Sequence, residues 1–438
     1  MFKRFSRFSI ISLVTSTSLA FLWLYTNLDF SSLNSDSKSF WDSFVYLTAN
    51  ITGYVAAMLF VWEMFFGVRY LVQLVTDDLP WVNKFHAFIG KYALLLALVH
   101  PVLEMIVYAQ NVLWLFIPDL KSKFEFQVTY GRVAFILFLI IYLTSALLRS
   151  KIKYRPWLYI HYLSYPLMFL TFIHALDIGT YLNKYVELKA LWFMMLGLYL
   201  VLIWFRLLMW SGVTKFKYKI TDKAQKGKDI FLIVLKPEGK FLLPKVGQYF
   251  YLQLKDFGEA HPFTVMESDE TTGTLIFGIK TLGSFTKKVS ELEIGSIINV
   301  DGPYGVFTLE GQNTNPKVII AGGIGITPFL DLVNKFKSPT TVFLHANRHL
   351  DEALARNALK SQLGNRYIDF VSQDSTTGES IINSRLKPKL ISQILGSDNL
   401  IHYNYFICGS PRFIEGVKDM LNQLEIPLNN VYVEEFSF

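Results

Sequence analysis

Four of the eight histidines lie in apolar runs: His86 and His100 close HAFIGKYALLLALVH, and His161 and His174 close HYLSYPLMFLTFIH. An ionisable ring in a hydrophobic segment is costly and by default signals function, and a neutral imidazole is a common metal ligand. The first pair is fourteen residues apart and the second thirteen, so at ~1.5 Å per residue each spans roughly 20 Å of helix. If both helices cross a membrane in the same direction, His86 is level with His161 and His100 with His174. Two facing imidazoles at each of two depths make two bis-histidine haem sites. A bare zinc or copper site is disfavoured, because Glu104 is the only carboxylate or thiolate near either pair. Fourteen residues leave an ideal helix only ~40° out of phase, but thirteen leave His174 ~140° from the direction of His161. Pro166, between them, is therefore expected to kink or rewind that helix.

The elements that must carry these rings are legible in the composition. The 438-residue chain is 52% hydrophobic and 18% charged, and its apolar residues crowd into the first 210 positions. Stretches near 8–28, 43–67, 84–109, 127–149, 157–176 and 188–210 are each long enough to cross ~30 Å of hydrocarbon. The first resembles a signal peptide, but its apolar core is too long and no small-x-small cleavage site follows, so it is expected to be retained. Basic residues at Lys3, Arg4 and Arg7 and in the RSKIKYR loop mark one side as cytosolic. Six spans then return the chain to the cytosol near residue 211. The net charge of +7 resides largely in these membrane-flanking clusters, and no basic stripe interleaved with aromatics suggests nucleic acid. The lone cysteine, Cys408, excludes an intramolecular disulfide framework.

From Lys215 the pattern changes to short strands with turn signals, which predicts an antiparallel barrel or sandwich. After Asn315 strands alternate with helices, which predicts a parallel, doubly wound sheet. In AGGIGITPF, Gly322, Gly323 and Gly325 let the backbone approach a pyrophosphate, Thr327 offers a hydroxyl, and Pro328 sits where a helix prefers its first residue. The motif is GxGxxP rather than GxGxxG, so the dinucleotide fingerprint is incomplete. In HPFTV (residues 261–265) and IKTLGSFTKKV (residues 279–289), Thr264, Lys280, Gly283, Ser284 and Thr286 offer the hydroxyls, cation and amides that a flavin's ribityl chain and pyrophosphate need. Arg348 follows a strand where an adenosine ribose would lie, and is equally readable as a solvent-facing arginine.

Together these motifs resemble the ferredoxin-reductase-type flavoprotein module over residues 213–438. The resemblance implies that His261, Pro262, Phe263 and Thr264 hold the isoalloxazine and ribityl groups. It also implies that Ile279, Lys280, Gly283, Ser284, Phe285 and Thr286 hold the FAD phosphates, and that GGIGITP takes NADPH or NADH. Cys408 and Gly409 match the family's cysteine–glycine pair beside the nicotinamide, and Phe438, with Phe436 as a substitute, matches the terminal aromatic that stacks on the flavin. The histidine spacings, on the third and fifth of six spans, look like the ferric reductase and NADPH oxidase superfamily, and TSALLRSKIKYRPWLYIH resembles its bacterial members.

The expected architecture is a membrane all-α six-helix haem-binding bundle (1–212) followed by a cytosolic ferredoxin-reductase-type module. That module comprises an antiparallel β-barrel FAD lobe (213–312) and an α/β Rossmann-like nucleotide lobe (313–438). The resemblance implies an enzyme of the bacterial inner membrane, with both termini cytoplasmic, that moves electrons from NAD(P)H through FAD and two b haems. Oxygen is the leading acceptor, giving superoxide, and a ferric chelate is the alternative. Glu104 stands where eukaryotic oxidases carry an additional histidine, and a carboxylate there suits a metal cation. No obligatory protein partner is evident. A donor to a quinone or partner protein, and a haem sensor or transporter, are the rival classes.

Overall fold

The computed structural model describes residues 5–29, 37–109, 111–376 and 378–435. It divides into two compact units, Met1–Leu207 and Leu208–Phe438.

The first unit is helical: α1 (Arg7–Asp29), α2 (Ser37–Gly67), α3 (Arg69–Val75), α4 (Leu79–Tyr92), α5 (Leu96–Tyr108), α6 (Lys123–Tyr142), α7 (Tyr154–His161), α8 (Ser164–Ile178), α9 (Thr180–Lys184) and α10 (Val186–Trp210). Among the described residues, four stretches are long and apolar enough to cross a membrane: Phe40–Gly67, Leu79–Tyr108, Lys123–Leu147 and Val186–Trp210. The other two expected spans fall on α1 and on the α7–α8 pair.

The helix ends follow local chemistry. Asp78 caps α4 by accepting from the Trp81 amide at 3.2 Å, and Arg7 Nε donates to the same carboxylate at 2.7 Å. Ser122 caps α6 by accepting from the Glu125 amide at 3.1 Å, a Ser-x-x-Glu start. Three interruptions then set the directions of the histidines. A 3-10 turn, Ala93–Leu95, separates α4 from α5, and α6 widens into a π turn, Leu143–Leu147. The third is sharper than the expected kink: α7 ends at His161 and α8 begins anew at Ser164. Pro166 is the third residue of α8, where its missing N–H breaks no intrahelical bond.

The second unit opens with a closed barrel of β1 (Phe216–Lys226), β2 (Ile230–Pro237), β3 (Tyr249–Gln253), β4 (Ala260–Ser268), β5 (Leu275–Lys280) and β6 (Ile297–Tyr304). Its order is β1-β2-β5-β4-β3-β6, and every pairing is antiparallel. Helix α11 (Ser284–Glu291) follows β5. Alternate residues Ile233 and Leu235, and Phe277 and Ile279, fill the interior, as a period of two requires.

The chain then forms β7 (Lys317–Gly322), α12 (Leu330–Phe336), β8 (Val342–Asn347), α13 (Arg356–Leu363), β9 (Tyr367–Val371), β10 (Ile381–Ile382), α14 (Pro388–Leu395), β11 (Asn404–Gly409), α15 (Pro411–Gln423) and β12 (Val431–Glu435). The sheet is parallel, in the order β10-β9-β8-β7-β11-β12. Both faces are covered: Ile319 and Phe343 pack into one core, Val318 and Leu344 into the other. The chain leaves β7 toward β8 on one side and returns to β11 on the other. Ligands of open α/β sheets bind at such a switch point, beyond the carboxyl ends of the strands.

One expectation is corrected here. Pro328 does not start a helix: Gly323–Phe329 form a 3-10 segment and α12 begins at Leu330. The turn packs closely on the end of β11, where a Cβ on Gly325 would lie 2.4 Å from the Cys408 carbonyl oxygen.

Lys317 opens β7 almost wholly buried, its ammonium donating to the carbonyls of Gly311 (2.8 Å), Phe336 (2.9 Å) and Asn313. Lys317→Met strands these acceptors and should cost about 1–3 kcal/mol. A melting temperature equal to that of the unsubstituted chain would show that the three bonds contribute nothing.

Candidate redox sites

The helical unit brings the four histidines together in the expected pairs. The rings of His86 and His161 have centroids 6.0 Å apart, and those of His100 and His174 are 6.4 Å apart. Metal–nitrogen bonds of about 2 Å on either side of one ion set ring centres roughly 6 Å apart. The break between α7 and α8 turns His174 onto the same side as His161, which resolves the phase mismatch.

Each Nδ1 faces a partner, and this determines whether the pairs suit haem iron. His100 Nδ1 lies 2.9 Å from the Ala49 carbonyl, and His174 Nδ1 lies 3.0 Å from the Gln127 carbonyl. A histidine that donates Nδ1–H to a carbonyl presents Nε2 as the lone-pair nitrogen. Two glycines permit the approach. A Cβ on Gly53 would sit 3.0 Å from His100 Nδ1, and one on Gly131 would sit 2.6 Å from His174 Cε1. Each glycine is four residues beyond the accepting carbonyl on its helix.

The other pair uses different partners. His86 Nδ1 is 2.9 Å from Glu63 Oε2, and His161 Nδ1 is 3.3 Å from Ser145 Oγ in the π turn. Trp157 donates its indole N–H to the same hydroxyl at 3.0 Å and stacks on His161 with centroids 5.1 Å apart, while Arg149 lies 4.3 Å from the Trp157 ring. Gly90 makes room for Glu63, whose Oε2 would lie 3.3 Å from a Cβ there.

A cavity of about 1340 Å³, counted with its open mouth, adjoins the His100–His174 pair. Gly53, Gly131, Glu104 and Arg132 line it with the two histidines. Glu104 Oε1 is 3.9 Å from His100 Nδ1. Among the described residues, no three His, Cys, Asp or Glu side chains cluster as a metal site. The donor set is therefore paired imidazoles in an apolar cavity, which fits a macrocycle that brings its own equatorial nitrogens.

In the barrel, the two predicted flavin segments meet. His261 and Phe263 on β4 pack on Phe285 of α11, with centroids 4.1 and 6.0 Å away. Gly283 and Ser284 are exposed at the start of α11, Pro262 is exposed, and Thr264 is buried. Three expected contacts are engaged elsewhere. Ile279 lies in the barrel core, and Lys280 Nζ sits 3.2 Å from Asp229 Oδ2. The Thr286 hydroxyl accepts from the Leu282 and Gly283 amides at 3.0 and 3.1 Å, so it holds the turn.

At the switch point, the glycine turn and the cysteine–glycine pair are in contact. A Cβ on Gly325 would meet both Cys408 and Gly409, and a Cβ on Gly322 would meet the Phe413 ring at 2.7 Å. Gly323 adopts a positive φ of 55°, and its carbonyl accepts from His345 Nε2 at 3.1 Å. Thr327 and Pro328 are buried beneath the turn, and Arg348 is exposed just beyond β8. Burial pushes the Cys408 thiol well above its ordinary range, so it is a neutral thiol rather than a nucleophilic thiolate. Phe436 and Phe438 lie outside the described residues.

Comparison with known proteins divides the chain into three matched segments. A family described as the ferric reductase like transmembrane component matches residues 52–172, an oxidoreductase FAD-binding domain matches 217–309, and an oxidoreductase NAD-binding domain matches 319–419. Ferric reduction oxidase 4 of Arabidopsis thaliana is 24% identical over 360 residues, 75% of this chain and 48% of its own length. This chain combines a ferric-reductase-like transmembrane component with FAD-binding and NAD-binding oxidoreductase domains. The three matches follow one another along the chain in that order. A flavohemoprotein of Candida albicans is 25% identical over 239 residues, 49% of this chain and 58% of its own length. The chain spans about half the length of the curated relatives it matches. A solved ferredoxin NADP+ reductase from Neisseria gonorrhoeae, with bound FAD and NADP, covers 51% of this chain and 99% of its own at 16% identity and a TM-score of 0.44.

Several residues of the candidate sites escape a reading of motifs. Glu63 carried a visible signal, an acidic group inside an apolar run, but Ser145, Gly53 and Gly131 acquire meaning only from helices distant in sequence. Asn347 ends β8 with both amide atoms buried and without a hydrogen-bond partner among the described residues, beside the switch point. Glu434 pairs in register with Cys408, and burial raises its carboxyl from 4.5 to about 8.

Between those pH values the folded chain holds a proton that the unfolded chain has released, so stability falls as pH rises through the window and levels off above it. Glu434→Gln should flatten this slope and remove an ionisation near pH 8 from NAD(P)H-dependent dye reduction. Melting curves with the same pH slope in both proteins would refute the assignment.

Proposed function

We propose that the chain carries electrons from cytosolic NAD(P)H through FAD and two b-type haems to an acceptor on the far side of a membrane. The observation that carries this reading is the pairing of four imidazoles at 6.0 and 6.4 Å, each with its Nδ1 turned to a partner on a neighbouring segment. His86 and His161 would hold the inner haem, and His100 and His174 the outer. Haem ligated by two imidazoles supplies one-electron transfer, and FAD supplies the conversion from two electrons to one. The glycine turn and Cys408–Gly409 hold the nicotinamide nucleotide, with Arg348 available to a 2′-phosphate. His261, Phe263 and the start of α11 orient the flavin. Six crossings, with Lys3, Arg4, Arg7 and the basic loop before α7 in the cytosol, keep both termini cytoplasmic in a bacterial inner membrane.

A ferric chelate is the acceptor favoured by the Arabidopsis relative's name and by Glu104 at the cavity wall. Oxygen, yielding superoxide, is favoured by the thirteen-residue spacing of the second pair and by the largely apolar cavity. Anaerobic NADPH and FAD should shift the haem Soret band of the full chain, and an unmoved band would defeat the reading. Ferric citrate, or air with and without superoxide dismutase, then separates the acceptors.

The ligand sets are separable. His86→Ala should abolish the inner haem's absorbance, and Gly131→Ala should displace His174 and weaken the outer haem alone. Both should retain dye reduction by the flavin module. Unchanged haem content in both variants would exclude these pairs as ligands.

A further inference from the structure

Arg132, on α6 next to Gly131, is 5% exposed and lines the outer cavity. Its Nη2 lies 3.0 Å from Glu125 Oε2, and its guanidinium lies 4.7 Å from the Trp114 ring. Nε and Nη1 are buried and have no hydrogen-bond partner among the described residues. A guanidinium carries five N–H donors in a planar fork that matches a carboxylate. The aromatic ring stabilises its face and leaves its edge unsatisfied. Leaving charged donors unpaired in an apolar cavity is costly, so this edge is built for an acceptor that arrives with a ligand.

We infer that Arg132 is a carboxylate-binding site in the wall of the outer cavity, engaged by a propionate of the haem between His100 and His174 or by the carboxylate of a ferric chelate. The propionate source rests on the two-haem reading; the chelate source does not require it. The carboxylate takes Nη1–H, alone or together with the second Nη2 proton, because Nε–H and Nη1–H leave opposite edges of the guanidinium.

The full-length chain is loaded with haem or with haem dimethyl ester, and the rate of haem transfer to apomyoglobin is compared with that of Arg132→Met. A propionate partner predicts release about tenfold faster from Arg132→Met. It also predicts that the ester leaves faster than haem in the unsubstituted chain but no faster in the variant. A chelate partner predicts unchanged release and citrate binding weakened about tenfold by calorimetry. Arg132→Lys keeps the charge without the fork and remains informative should Arg132→Met fail to fold, with smaller changes in the same direction. If Arg132 only braces Glu125, Glu125→Gln reproduces Arg132→Met in every readout and the proposal is overturned. It is equally overturned if neither haem release nor citrate binding changes. A chain without a bis-histidine Soret band would defeat the two-haem reading, and citrate binding would still decide Arg132.

Discussion

An imidazole surrounded by apolar helices has two polar nitrogens, and the ring is useful only if one is satisfied away from the site. An unpaired polar group in a hydrocarbon environment costs several kcal/mol, so a histidine whose Nδ1 lacked a partner would turn to find one. Most of the helical unit's irregularities serve this requirement. In a regular helix each carbonyl already bonds to the amide four residues on, and a side chain at that position shields it from outside donors. Gly53 and Gly131 occupy that position relative to Ala49 and Gln127. Without a Cβ, each lets an imidazole lie against the helix and share the carbonyl. The two outer histidines are thus held by one device, used once in α2 and once in α6.

The His86–His161 pair has side chains rather than carbonyls beside its Nδ1 atoms. Glu63 faces His86, and Ser145 faces His161 from a π turn, an irregularity that often marks functional positions. A backbone carbonyl or a carboxylate that accepts a ring N–H both orients the ring and raises its basicity as a ligand, the charged carboxylate more strongly. The two pairs are therefore alike in spacing and unlike in electronic setting. Trp157 and Arg149 stack behind His161 and fix its plane, which a single contact to a rotatable hydroxyl would leave free.

Close approach governs the soluble unit as well. Gly325 lies against Cys408 and Gly409, and Gly322 and Gly409 both lie against Phe413. The nucleotide turn, the end of β11 and the start of α15 therefore cannot move independently. His345 ties this turn to the sheet: its Nε2 reaches the Gly323 carbonyl, and its Nδ1 lies 3.1 Å from the Tyr367 hydroxyl. That hydroxyl donates to Asp369, which Arg356 also holds at 2.7 Å. These buried contacts tie the turn to β8 and β9.

What was legible in the sequence follows from the range of the interactions. Repeats within one helix or strand report on neighbours a few residues away, so the apolar runs, the barrel strands, the parallel sheet and the level pairing of histidines could be read directly. Partners 51 and 47 residues away, such as Ala49 for His100 and Gln127 for His174, leave no periodic trace. Lys280 likewise has a partner distant in sequence, Asp229, whereas Thr286 holds the local turn through the Leu282 and Gly283 amides. Yet one class of long-range contact does leave a local mark. Glycine inside a helix costs about 1 kcal/mol relative to alanine, so it persists where something must come close. Of the glycines in α2, α4, α6 and α10, Gly53, Gly90 and Gly131 each admit a histidine or its partner, while Gly197 and Gly67, the last residue of α2, meet nothing. A glycine within an apolar helix is therefore evidence about a neighbour, and here it points to the polar groups that the histidines require.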